Sequence, residues 1–136
     1  MEIALSRGAM ERDPVIAAGF GFRAAAGRDS LRAALELACG GLVPTVLATA
    51  EGKQDNQGLR DLATQMHLQI RAVPEGVMSR QKTHTTSAAS KAAYGTPSVA
   101  EAAALAAAGP NARLITPRQI SPDRMATCAI AQGDDT

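Results

Sequence analysis

The sequence predicts an α/β fold: a single three-layer domain in which a mostly parallel sheet of five or six strands is flanked by helices. Three observations carry that expectation. The chain has 136 residues, enough for one compact domain. Short apolar runs alternate with amphipathic stretches of about ten residues, the order that parallel strands joined by helical crossovers require. The apolar content leans on alanine, with 29 residues against 25 for Leu, Ile, Val and Phe together, so thin helices are expected to lie close to the sheet.

Residues 1–13 read as a tail, because Glu2, Arg7, Glu11, Arg12 and Asp13 interrupt every apolar stretch, which also argues against a secretory leader. Pro14–Phe20 is apolar and too short for a helix, and predicts a buried strand. Asp29 or Ser30 is placed to cap a helix whose Leu31, Ala34, Leu35 and Ala38 share a face before Gly40-Gly41 ends it. Val43–Ala50 repeats the buried-strand pattern, and Asp55 or Asn56 caps a second helix carrying Leu59, Leu62, Ala63 and Met66 on one side. Leu68–Val73 alternates and is closed by Pro74, as an edge strand is. Residues 74–97 lose periodicity and predict a long loop. Ser98 and Glu101 match a capping box that opens a helix ending at Gly109-Pro110. Arg113–Pro117 and Met125–Ala131 predict two last strands paired as a hairpin, so the domain is expected over 14–131, with 132–136 a second tail.

Composition excludes several classes. Fourteen Lys and Arg against thirteen Asp and Glu leave a net charge of +1, and the rings are Phe20, Phe22 and Tyr94, so neither nucleic acid nor a membrane is expected as partner. No apolar run approaches the roughly 20 residues that span a bilayer. Cys39 and Cys128 are expected as small buried thiols of a cytoplasmic protein. His67 and His84 lack ligand-spaced neighbours, so no metal is expected, and the absence of a G-x-S-x-G motif argues against a serine nucleophile of that type. No cofactor is expected.

Three stretches carry candidate chemistry. Gly19-Phe20-Gly21-Phe22-Arg23-Ala24 has the G-x-G-x-x-A form of a dinucleotide fingerprint, but the better helix cap lies further on. A tight turn that lets a ligand approach open backbone is therefore the favoured reading of Gly19 and Gly21, and a nucleotide-binding accessory domain is the weakest alternative. Thr49 to Leu59 leaves a buried strand and enters a helix, the position where open α/β sheets bind ligands. Within it, Lys53 precedes a helix N-terminus whose dipole does not favour a cation, which points to an anionic ligand. Between Glu75 and Glu101 there is no acid, while Arg80, Lys82 and Lys91 make the 74–97 loop locally basic. Such a loop suits carboxylates or phosphates through charge-assisted hydrogen bonds. Asp55 and Glu101 are the candidate general bases if the domain is catalytic, with capping the plainer role for each.

Taken as a series, Ala18–Arg23, Thr49–Leu59 with its Lys53-Gln54-Asp55 core, Val99–Leu105, Leu114–Arg118 and Thr127–Ala131 resemble the cobalamin biosynthesis family that includes CobE and the C-terminal domain of CbiG. Asn56 stands where that family often has an acid, and Arg118 where lysine is usual. The resemblance implies a place on the route from precorrins to the corrin ring. It also implies a ligand of the precorrin or hydrogenobyrinic acid type, rich in acetate and propionate carboxylates, and contact with other enzymes of the pathway. The expected binding set is Gly19, Phe20, Gly21, Phe22, Arg23, Thr49, Lys53, Asp55, Lys82, Lys91 and Arg118, with Phe20 and Phe22 as an apolar floor. A hydrolase acting on a precorrin ring lactone or ring-contraction by-product, as in CbiG, is the alternative activity.

Overall fold

A computed structural model describes residues 15–83 and 98–133. Its elements are β1 (Ile16–Phe22), α1 (Arg28–Cys39), β2 (Val46–Ala50), α2 (Gln57–Met66), β3 (Ile70–Val73), α3 (Glu75–Met78), α4 (Val99–Ala108), β4 (Arg113–Ile120) and β5 (Ala126–Gln132). They build one α/β domain around a five-stranded sheet of order β3-β2-β1-β5-β4. Strands β1, β2 and β3 pair in parallel, whereas β5 runs antiparallel to both β1 and β4. The sheet is thus mixed, with β5 alone reversed, because the last connection is a hairpin rather than a helical crossover.

Every residue of β2 is buried, which is why Val46–Ala50 reads as a continuous apolar run instead of alternating. One face of the sheet carries α1 and α2, packed through Leu31, Leu35, Leu59 and Leu62 onto Phe20, Leu47, Cys128 and Ile130. The other face carries α4, whose alanines pack on Ala17, Val46, Ala48 and Ala131. Nearly all of α4 is buried, and its alanines bring its axis close to the strands.

Gly19 shows how close. A Cβ placed there would lie 2.1 Å from the Ala100 carbonyl oxygen and 2.4 Å from the Ala104 amide nitrogen. This corrects the expectation of a glycine turn: Gly19 and Gly21 lie inside β1, paired with Ala129 and Thr127 of β5. The dinucleotide reading loses its geometry as well, since the glycines do not open a helix and α1 starts at Arg28.

Helix ends follow the sequence in part. Asn56, not Asp55, caps α2, its side-chain oxygen accepting from the Leu59 amide at 3.0 Å. Gly40 ends α1 in the left-handed conformation at φ 53°. The N-cap of α1 is Gly27 rather than Asp29 or Ser30, because Ser30 spends its hydroxyl on Asp123 in the β4–β5 turn. Val43 is 74% exposed and β2 begins only at Val46. Helix α3 is an addition to the expected 74–97 loop: Pro74 sets its entry, and Met78 is buried in the core beneath it. Strand β3 lies at the sheet edge.

Candidate functional site

The carboxyl ends of β1 and β2 are where the helices of both faces begin. Asn56 at the start of α2 donates its amide to the Ala26 carbonyl oxygen at 3.4 Å, beside the start of α1. The backbones there nearly touch, for a Cβ on Gly58 would lie 2.6 Å from the Arg28 amide nitrogen. On the opposite face α4 starts next to Gly21, where an added Cβ would meet Val99 at 3.4 Å. Three helix N-termini, with their partial positive charge, therefore surround one edge of the sheet.

That edge carries cations. Phe22 ends β1 half-buried, and the Nζ of Lys53 stands over its ring at 5.2 Å from the centroid. Arg23 follows directly and is exposed, its amide bonded to the Met125 carbonyl oxygen at 3.0 Å. The loop that presents Lys53 is held by its own backbone, with the Lys53 amide donating to Ala50 and the Asn56 amide to Lys53. Glu51 and Asp55 flank Lys53 in sequence, yet among the described residues neither pairs with it. Lys53 thus stands over an aromatic face at the end of β1, with the exposed Arg23 next in the chain, and neither cation has a carboxylate partner among the described residues.

Other expected site residues fall elsewhere. Phe20 is fully buried under α1 and α2 and belongs to the core, so it offers no floor to a ligand. Thr49 is buried and donates its hydroxyl to the Phe20 carbonyl oxygen at 2.9 Å, tying β2 to β1. The space beside Gly19 is filled by α4. Gly21 is partly exposed at the edge, but Thr127 Oγ1 would lie 2.9 Å from its Cβ and donates to its carbonyl oxygen. Asp55 is exposed in the loop before α2, and Lys82 is exposed beyond α3. Lys91 lies outside the described residues.

Glu101 is buried in the first turn of α4. The Ser98 hydroxyl oxygen accepts from its amide at 3.3 Å, as the capping reading expects. Its carboxylate accepts from the Arg118 amide at 2.8 Å, crossing from α4 to β4. The bond answers a defect in the strand, where the β4–β5 register shifts between Thr116 and Gln119 around Pro117, which has no amide hydrogen. The Arg118 side chain is half-buried and has no acidic partner among the described residues.

Sequence reasoning missed the corner beside this edge. Asp123 accepts from the Ser121 hydroxyl at 2.6 Å, from the Met125 amide at 3.0 Å, and from the Ser30 hydroxyl of α1. These bonds, the one from Ser121 foremost, hold its carboxyl below the usual carboxylate range. The Ser-Pro-Asp turn was the available signal, since an aspartate accepting from the amide two residues on makes an Asx turn.

Cys39 and Cys128 are both free thiols. Burial pushes the Cys128 thiol well above its ordinary value and raises that of the half-buried Cys39, to which Glu36 adds. Among the described residues no group of three or more His, Cys, Asp and Glu is placed to hold a metal. None of the described helices is long and apolar enough to cross a membrane.

The profile of the family described as cobalamin synthesis G C-terminus matches residues 16–131. The structure of CobE, described as a protein from the cobalamin (vitamin B12) biosynthetic pathway, is 32% identical and superposes with a TM-score of 0.79 over 88% of this chain and 93% of that one. Cobalamin biosynthesis protein ChiG from Agrobacterium tumefaciens is 34% identical, with a TM-score of 0.66 over 88% of this chain and 98% of its own. A putative cobalamin biosynthesis protein G homolog from Sulfolobus solfataricus, at 20% identity and a TM-score of 0.66, shares the fold, and this chain covers 37% of its length. A search of curated proteins gives no match. The chain belongs to the cobalamin synthesis G C-terminus family and is a cobalamin biosynthesis protein of the CobE and CbiG type.

Proposed function

We propose that this protein binds a polycarboxylate precorrin or corrin intermediate at the carboxyl edge of its sheet and assists its conversion or transfer. The observation that carries this reading is the Lys53 ammonium over the half-exposed Phe22 ring, with exposed Arg23 next in the chain, where α1, α2 and α4 begin. A corrinoid acid is a broad apolar ring rimmed with carboxylates. An aromatic ring beneath a cation, with a second cation next in the chain and neither paired among the described residues, meets both parts of it, and helix N-termini favour the same charge. Arg118, with Lys82 and Lys91 from the basic 74–97 segment, would serve carboxylates further round the rim. Other enzymes of the pathway would deliver or receive the ligand. A catalytic role is the weaker reading, since the carboxylate of Glu101 already bonds the Arg118 amide and Asp55 stands exposed in a loop.

Titration with hydrogenobyrinic acid tests the proposal. Binding moves the pigment's visible absorption and carries it through gel filtration with the protein. A spectrum unchanged at tens of micromolar protein, with no co-elution, contradicts it.

A further inference from the structure

The two loops that carry Arg23 and Lys53 are tied to each other by one residue. Asn56 donates its backbone amide to the Lys53 carbonyl oxygen at 3.2 Å and its side-chain amide to the Ala26 carbonyl oxygen at 3.4 Å. Ala26, buried at the end of the Arg23 turn, donates its own amide to the Arg23 carbonyl oxygen at 2.9 Å. The Asn56 side-chain oxygen accepts from the Leu59 amide as the cap of α2, and this bond decides which way the amide group faces. Oxygen and nitrogen thus have separate tasks. The oxygen starts the helix, and the nitrogen reaches across to the neighbouring loop.

That reach is short because Gly58 leaves room for it: a Cβ there would lie 2.6 Å from the Gly27 carbonyl carbon. From its other side the Arg23 turn is held by the turn between β4 and β5. The Arg23 amide donates to the Met125 carbonyl oxygen at 3.0 Å, while the Met125 amide donates to Asp123, whose carboxylate also accepts from Ser30 of α1. A continuous run of hydrogen bonds therefore leads from the Lys53 loop through Asn56, Ala26 and Arg23 to the 121–125 turn and back to α1. Between these two holds the turn is bare. Ala24 and Ala25 are exposed, and Gly27, which opens α1, supplies no side-chain cap.

We propose that Asn56 is a positioning residue for the carboxylate-binding edge: its side-chain amide fixes the Arg23 turn against the Lys53 loop, and so sets the two cations for an acid whose carboxylates are held apart by a rigid ring. This inference rests on the proposed function. Cations already held in place lose little freedom when a rigid polyacid binds, whereas a loose Arg23 turn has to be ordered at the moment of binding. Asn56 acts through Arg23.

Asn56→Ser keeps a capping oxygen and the net charge, and loses the nitrogen that reaches Ala26. In the protein without ligand, the Arg23 and Ala26 amides of this variant are expected to exchange with solvent about fivefold faster. Leu62, on α2 where it lines the open groove between the C-terminal halves of α1 and α2, is expected to exchange unchanged, because the cap is retained. Asn56→Asp, also a good cap, loses the same donor and is expected to free the same two amides. In titrations with hydrogenobyrinic acid, Asn56→Ser is expected to weaken binding about threefold in the otherwise unchanged protein and hardly at all beside Arg23→Gln, where the residue it positions is gone. Unchanged exchange at Arg23 and Ala26, acceleration that spreads to Leu62, or an equal loss of affinity in both backgrounds overturns the inference. A wild-type protein that leaves the pigment's spectrum unchanged contradicts the proposed function itself, and this inference with it.

Discussion

The ammonium of Lys53 stands 5.2 Å above the centre of the Phe22 ring, joining the end of β1 to the loop that follows β2. A cation placed near the start of a helix gains nothing from the dipole, and here the ring quadrupole offsets part of that cost, by about 0.5 to 1 kcal/mol at an exposed site. The contact holds the charge at the carboxyl edge without neutralising it. In the proposed complex, a ligand carboxylate would find a cation already positioned.

Arg23→Gln and Lys53→Gln are each expected to weaken hydrogenobyrinic acid binding about five- to tenfold, ~1 to 1.4 kcal/mol, with the remaining affinity less sensitive to salt. Lys53→Arg is expected to retain most of the affinity. Phe22→Leu keeps the charge but frees it, so a loss of affinity there with an unchanged salt dependence isolates the positioning role of the ring. Absorption titrations at two ionic strengths measure all four.

Gly19→Ala is expected to destabilise the domain by ~3 kcal/mol or more, or to prevent folding. The new Cβ would meet backbone atoms of the buried helix α4, at Ala100 and Ala104, rather than a flexible side-chain end. Gly76→Ala, where nothing lies within 4 Å of the added Cβ, is the matched control and is expected to leave stability nearly unchanged. Urea denaturation followed by circular dichroism compares them.

Glu101→Ala removes the acceptor for the Arg118 amide at the β4 irregularity and is expected to cost ~2 to 3 kcal/mol. Glu101→Gln keeps an acceptor oxygen and is expected to cost less than half of that. If Glu101 were a general base, the Gln variant would keep its stability and lose turnover of a pathway intermediate. The account here predicts that any activity tracks the folded fraction.

Asp123 contributes a pH dependence to stability. Its carboxyl is held below the usual range by Ser121, Ser30 and the Met125 amide, so its ionised form stabilises the folded state above the unfolded carboxylate pKa of about 3.9. That contribution is lost as pH falls through the lower folded value. Asp123→Asn is expected to melt below the wild type at pH 7, with the gap closing as the pH drops below about 4. A gap that persists in acid assigns the effect to geometry instead of charge.

Much of the fold was legible because its signals are local. The continuous apolar run in β2, the Asn56 cap, the Gly40 stop and the Ser98 cap each depend on neighbours in the chain. What escaped reading depends on residues far apart. Gly19 and Gly21 look like a turn until α4, some 80 residues on, is seen to need the space they leave. Ser30 looks like a cap until Asp123 takes its hydroxyl. Helix α3 is one short turn within a polar stretch, and its buried Met78 has no periodic partner to announce it. At the candidate site, charge and position at strand ends pointed to Arg23 and Lys53. The same sequence could not show that Phe20 faces the core while Phe22 stays half-exposed, because a strand ending two residues later than expected decides which ring reaches the edge.

Isotope-edited amide NMR during titration with hydrogenobyrinic acid locates the ligand on the fold. The account predicts the largest shifts at Phe22, Arg23, Gly52, Lys53 and Asn56, with the α1–α2 groove around Leu62 undisturbed. Shifts centred on the groove, or none at the carboxyl edge while the pigment binds, would contradict it.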